Sequence, residues 1–120
     1  MLVIKNARVL PELTVGFDGS LADVIIKKEL ISEVVPAGTA AGDIEIDAKG
    51  RTLLPGFIDA HVHLDLCGMN TWEENEQPDA YRALRAVNLA QTCLKKGFTT
   101  LRDCGDRNNI IIDLARAIRD

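Results

Sequence analysis

The sequence predicts an α/β fold led by a small antiparallel β unit, and three observations carry that expectation. Residues 55–120 run strand, helix, strand, helix, the order of a parallel sheet with crossover helices. Residues 1–54 hold short β-rich runs separated by turn residues. Pro55-Gly56 punctuates the change between them, so the boundary is drawn at 1–54 and 55–120.

In the first part, "LVIKNARVL", "DVIIKKELISEVV" and "DIEID" are strand candidates. Asp18-Gly19 and Ala41-Gly42-Asp43 supply turns, and Lys28-Glu29 turns a hairpin between "DVIIK" and "LISEVV".

The second part opens on "PGFIDAHVHLD", Pro55 to Asp65. Alternate residues of a strand share a face. Phe57, Asp59, His61, His63 and Asp65 form one set; Ile58, Ala60, Val62, Leu64 and Leu66 form the other, which is wholly apolar. The stretch therefore reads as a strand over Phe57–Leu66 with one face on a core and the other carrying both histidines of the chain. A polar loop, "CGMNTWEENEQ", follows. Pro78-Asp79 then opens a helix, "DAYRALRAVNLAQTCLKK", with Ala80, Leu84, Val87 and Leu94 as its apolar stripe and Gly97 at its C-terminal exit. "FTTLRDC" is the second strand. Asn108 or Asn109 caps a second helix whose stripe is Ile111, Leu114, Ala115 and Ile118. The last helix reaches Asp120 without an exit signal, and two α/β units fall short of a closed barrel of about 250 residues. The expectation is the front end of a longer protein.

Composition excludes several classes. A net charge of −4 with scattered Lys and Arg gives no nucleic-acid footprint. No apolar run approaches the roughly 18 residues of a membrane span, and the start lacks the pattern of a signal peptide. Cys67, Cys93 and Cys104 are odd in number with no C-x-x-C spacing, which predicts reduced thiols in a cytoplasm.

Two histidines on one strand face can ligate a divalent ion as neutral imidazoles. Asp59, on that face, is placed to orient a ligand from behind. The bland alternative is an amphipathic strand with its polar face in water.

The flanking residues favour the metal. "LPGFIDAHVHL" resembles the first-strand signature of the amidohydrolase superfamily: Pro-Gly, an apolar residue or two, Asp, any residue, then His-x-His. "AVNLAQTCLKKGFTTLRDCG" is similar to the helix and second strand of the prolidase-like and imidazolonepropionase-like branch, where a GFTTxRD segment is common. The specific motifs cover Leu54–Leu64 and Gly97–Asp103. The resemblance implies a (β/α)8 TIM-barrel metallohydrolase whose first two β/α units lie here, preceded by part of a small β-sandwich. It implies His61 and His63 as ligands of a divalent metal, usually zinc, with one or two ions in the full enzyme. It also implies hydrolysis of C–N bonds in amides, dipeptides or cyclic amides and amidines by metal-activated hydroxide.

The family's other ligands and its catalytic base come from later strands, and no histidine follows His63. They are expected beyond residue 120, and the 120 residues alone are expected to be inactive. A small-molecule substrate and a homo-oligomeric state are expected, with no nucleic-acid or membrane partner. Trp72 is a candidate for the substrate mouth, and Glu73, Glu74 and Glu76 are candidates to favour a basic substrate. Cys67 reads as an ordinary buried residue rather than a ligand. Arg102 and Asp103 read as a structural ion pair. The competing function class is a stand-alone α/β binding or structural module without catalysis.

Overall fold

A computed structural model describes residues 1–66, 68 and 70–120, which divide into two compact units, Met1–Pro55 and Gly56–Asp120.

The first unit is one four-stranded sheet in the order β3-β2-β1-β4. The strands are β1 (Leu2–Arg8), β2 (Leu21–Lys27), β3 (Leu30–Pro36) and β4 (Ile44–Asp47). β2 and β3 form the expected hairpin, with Lys27 opposite Leu30 across the Lys28-Glu29 turn. The unit is not wholly antiparallel: β4 pairs parallel to β1. It is also a single sheet rather than two packed sheets. The residues between β3 and β4 carry the chain back across the sheet, so β4 arrives in the same direction as β1 and takes the free edge that a further hairpin would have left. Val9, Ala22 and Val24 are buried, with Ile4, Phe17, Val34 and Leu53 packed on them.

Asp23 holds this unit's irregular backbone. β1 bulges between Ile4 and Ala7, where Asn6 takes a φ of 54°. Asn6 N–H is left without a strand partner and donates to Asp23 Oδ1 at 3.0 Å. Gly38 and Ala40 donate to Oδ2 at 2.9 and 3.2 Å. Burial pushes the Asp23 carboxyl up, but these three N–H groups and the nearby Lys5 charge outweigh it and hold it below the usual carboxylate range.

The second unit contains β5 (Phe57–Val62), α1 (Thr71–Asn75), α2 (Asp79–Lys95), β6 (Phe98–Asp103) and α3 (Ile110–Arg119). β5 and β6 pair in parallel, joined through α1 and α2. Gly56 leads into β5 because the Thr99 side chain of β6 occupies the space a Cβ would need. Phe57 and Phe98 start the two strands with ring centroids 5.7 Å apart.

Several expectations need correction. The His strand stops at Val62; His63 lies past its end and Leu64-Asp65 form a turn. Its apolar set is only partly covered: Leu64 is buried, but Ile58 is 69% exposed. The polar loop contains a short helix, α1, because Asn70 Oδ1 accepts from the N–H groups of Trp72 and Glu73 and starts a turn. In α2 the buried residues are Arg82 and Ala86, while Leu84, Val87 and Leu94 are exposed. A buried ion pair between Arg82 and Asp65 draws Arg82 inward, while Val87 and Leu94 of the expected stripe border an open groove against β6 and α3. In α3 the buried residue is Ile110, while Ile118 is 70% exposed. Asn109 occupies the N-cap position but makes no side-chain cap; Asp106 accepts from Ile111 N–H at 2.9 Å instead. An open apolar groove of about 1110 Å³ lies between α2, β6 and α3, lined by Val87, Leu94, Phe98, Leu101, Ile111 and Leu114 among others.

Candidate metal centre

β5 ends where its histidines begin to matter. His61 is the penultimate residue of the strand and His63 follows its last residue, Val62. Both are exposed, and their rings meet edge to face with centroids 5.4 Å apart. The strand alternation expected from the sequence thus brings both imidazoles together, even though pairing has ended by the second.

His63 is oriented by backbone. Its Nδ1 lies 2.8 Å from the carbonyl oxygen of Gly105, in the loop after β6. A carbonyl oxygen can only accept, so Nδ1 carries the hydrogen, and in the neutral ring Nε2 keeps its lone pair. Gly105 has a φ of 141°, a conformation that side-chain-bearing residues rarely adopt, which lets the loop aim this carbonyl. Asp59 is half-buried and accepts from the backbone N–H of His61 at 3.1 Å, so the contact it makes is to the strand and not to a ring.

Asp103 and Arg102 do not pair. Asp103 accepts from Leu64 N–H at 2.8 Å and from Gly105 N–H at 3.0 Å, while Arg102 is exposed. Backbone donors at hydrogen-bond distance on both oxygens outcompete a solvated guanidinium. Part of this was legible, because Asp-x-Gly is the pattern of a side chain bonding the backbone two residues on. The contact to Leu64 spans 39 residues and carried no signal.

Asp65, grouped by alternation with the histidines, points away from them into the interior, where it pairs with Arg82 and accepts from Arg107 N–H at 3.4 Å. Trp72 stands on α1, 80% exposed. Glu74 is tied to Arg85, so it is not an acid available to a basic substrate; Glu73 and Glu76 are exposed. Cys67 lies outside the described residues. Cys93 and Cys104 are free thiols.

Two adjacent imidazoles, one with its tautomer set by a backbone carbonyl, are the donor type that suits a divalent ion such as zinc. Two such nitrogens would fill half of a four-coordinate shell. Among the described residues no group of three or more His, Cys, Asp and Glu side chains is placed to hold a metal.

The family model described as "Amidohydrolase family" matches residues 52–120, more than half of the chain. The chain belongs to the amidohydrolase family. This amidohydrolase chain is 49% identical over 53 residues to an imidazolonepropionase of Arthrobacter sp. (strain FB24), covering 43% of the chain and 13% of that protein. It is 34% identical over 109 residues to a pterin deaminase of Rhizobium rhizogenes (strain K84), covering 78% of the chain and 24% of that protein. Among solved structures, a prolidase complexed with N-methylphosphonate-L-proline superposes with a TM-score of 0.73 at 29% identity, over 98% of this chain and 29% of that one. The chain therefore spans about a quarter or less of these curated relatives. No helix among the described residues is long and apolar enough to cross a membrane.

Proposed function

We propose that this chain contributes the first two metal ligands, His61 and His63, of a hydrolase that cleaves C–N bonds in amides, dipeptides or cyclic amides and amidines. The observation that carries the reading is the edge-to-face adjacency of the two exposed rings at the C-terminal end of β5, with the Nε2 lone pair of His63 left free to bind a metal. That is the end of a parallel strand where α/β folds place their chemistry. Similarity to an imidazolonepropionase and to a prolidase supports the substrate class.

A divalent ion, zinc as proposed, would supply a Lewis acid and bring the pKa of a bound water near neutrality. The residues of this chain do the holding. His61 and His63 bind, the Gly105 carbonyl sets the tautomer of His63, and Asp59 fixes the strand backbone beneath His61. Trp72, exposed on α1, is proposed as an apolar contact for the substrate. The remaining ligands and the proton-transferring base are proposed to come from outside these 120 residues. With two donors, the shell is below the three protein ligands usual in catalytic zinc sites.

The test uses the intact enzyme. His61→Ala and His63→Ala should each lower zinc content and abolish hydrolysis across a panel of dipeptides, cyclic amides and amidines, with losses of at least ~100-fold. Full zinc occupancy by elemental analysis in both variants would sink the reading.

A further inference from the structure

Asp103 closes β6, and its two oxygens reach two backbone segments that flank His63. Oδ2 accepts from the N–H of Leu64, the residue after His63, at 2.8 Å. Oδ1 accepts from the N–H of Gly105 at 3.0 Å. Gly105 presents its carbonyl to His63 Nδ1 at 2.8 Å, and Cys104 N–H donates to the Val62 carbonyl, just before His63, at 2.9 Å. These contacts tie the residues on both sides of His63 to the loop that holds its ring. Asp103 is half-buried, so water competes less for its oxygens than at an open surface.

From this arrangement we infer that Asp103 is the positioning residue of His63: its carboxylate sets the loop that selects the Nδ1–H tautomer and leaves Nε2 free to bind. The carboxylate itself is required. Both of its contacts are acceptor contacts to N–H groups, and an amide offers one accepting oxygen while turning an NH2 toward the other N–H. The inference rests on the proposed role of His63 as a ligand, but the tautomer it assigns is measurable without metal.

The experiment is a long-range 1H–15N correlation spectrum of the histidine rings in the intact, metal-free protein, with zinc affinity measured separately by chelator competition. The His63 signals are assigned by their loss in His63→Ala. Wild type should show His63 as the Nδ1–H form. Asp103→Asn should replace that single form with a mixture and weaken zinc binding by ~10–100-fold, the usual cost of losing a group that orients a ligand. Asp106→Ala, which removes the acceptor of the Ile111 N–H at the start of α3, should leave the tautomer unchanged and so separates positioning from general destabilisation. An Nε2–H ring in wild type, or an unchanged Nδ1–H ring in Asp103→Asn, overturns the inference. Should Asp103→Asn not fold, Asp103→Glu, whose extra methylene displaces both oxygens, takes its place with the same expected and overturning results. A tautomer that shifts as expected while His63→Ala leaves zinc affinity untouched refutes the ligand role alone.

Discussion

Asp23 in the first unit and Asp65 in the second are both fully buried carboxylates, and their surroundings differ. Asp23 is met by three backbone N–H groups, one from the bulge in β1 and two from the loop after β3. Asp65 is met mainly by a charge, Arg82, and Asp65 Oδ1 and Arg82 Nε find no hydrogen-bond partner among the described residues. The apolar surfaces do not divide in this way, because both units leave large apolar side chains exposed. In Met1–Pro55 a hairpin and a parallel edge strand bury Val9, Ala22 and Val24 but leave Leu30, Ile31 and Ile44 exposed. In Gly56–Asp120 a two-stranded sheet leaves Ile58, Leu84, Leu94, Ile112 and Ile118 exposed. Antiparallel neighbours can be joined by two residues, so the backbone of a hairpin pairs locally. Parallel strands need crossovers and cover on both faces, so two of them leave apolar surface without cover.

The largest expected effect tests the buried charge pair. Arg82→Ala strands Asp65 as an uncompensated buried charge, and breaking such a pair costs about 3–5 kcal/mol. Hydrogen exchange followed by mass spectrometry should show protection lost across α2 and the turn after β5, with β1–β3 unchanged. Protection that survives in α2 would mean that the pair is solvated and the contrast between the units is false.

Asp23→Asn should have the next largest effect. It puts an NH2 against backbone N–H groups, and each buried donor left unsatisfied costs about 1–3 kcal/mol. The variant also tests the pH dependence. Because the folded carboxyl sits below its usual range, its stabilisation is complete above the unfolded value of about 3.9 and is lost as pH falls through the lower folded value. Asp18, Asp43 and Asp47 are held low as well, by Ser20, by the chain's amino terminus and by Asn6 respectively, and add to the same acid-side slope. Denaturant melts from pH 6 to pH 2, read by exchange protection in β1 and β2, should show a shallower acid-side slope in the variant. An identical slope would remove Asp23 as its source.

The smallest effect sharpens the reading of the uncovered helix face. Leu84 is 69% exposed, so Leu84→Lys should change stability by no more than about 0.5 kcal/mol in either direction. A loss several times larger in the intact protein would show that this face is covered there.

Local chemistry determined much of this protein. The hairpin at Lys28-Glu29, the helix between Asp79 and Lys95, and the parallel pair either side of it were all legible, because turn residues and hydrophobic period act over a few neighbours. So was the pairing of His61 with His63, which alternation alone places on one side. Tertiary structure decided the rest. Whether β4 ran parallel or antiparallel depended on how the chain crossed back over the sheet, and a short strand's sequence is compatible with either direction. The burial of Arg82 on α2 was set by Asp65 reaching it across 17 residues, a contact the apolar stripe did not signal. Asp103 turned from its neighbour Arg102 to Leu64 and Gly105 because two strands 39 residues apart ended side by side. Such contacts exist only after the chain has folded back on itself, since the energy lies in the meeting of distant groups and not in the preference of either one.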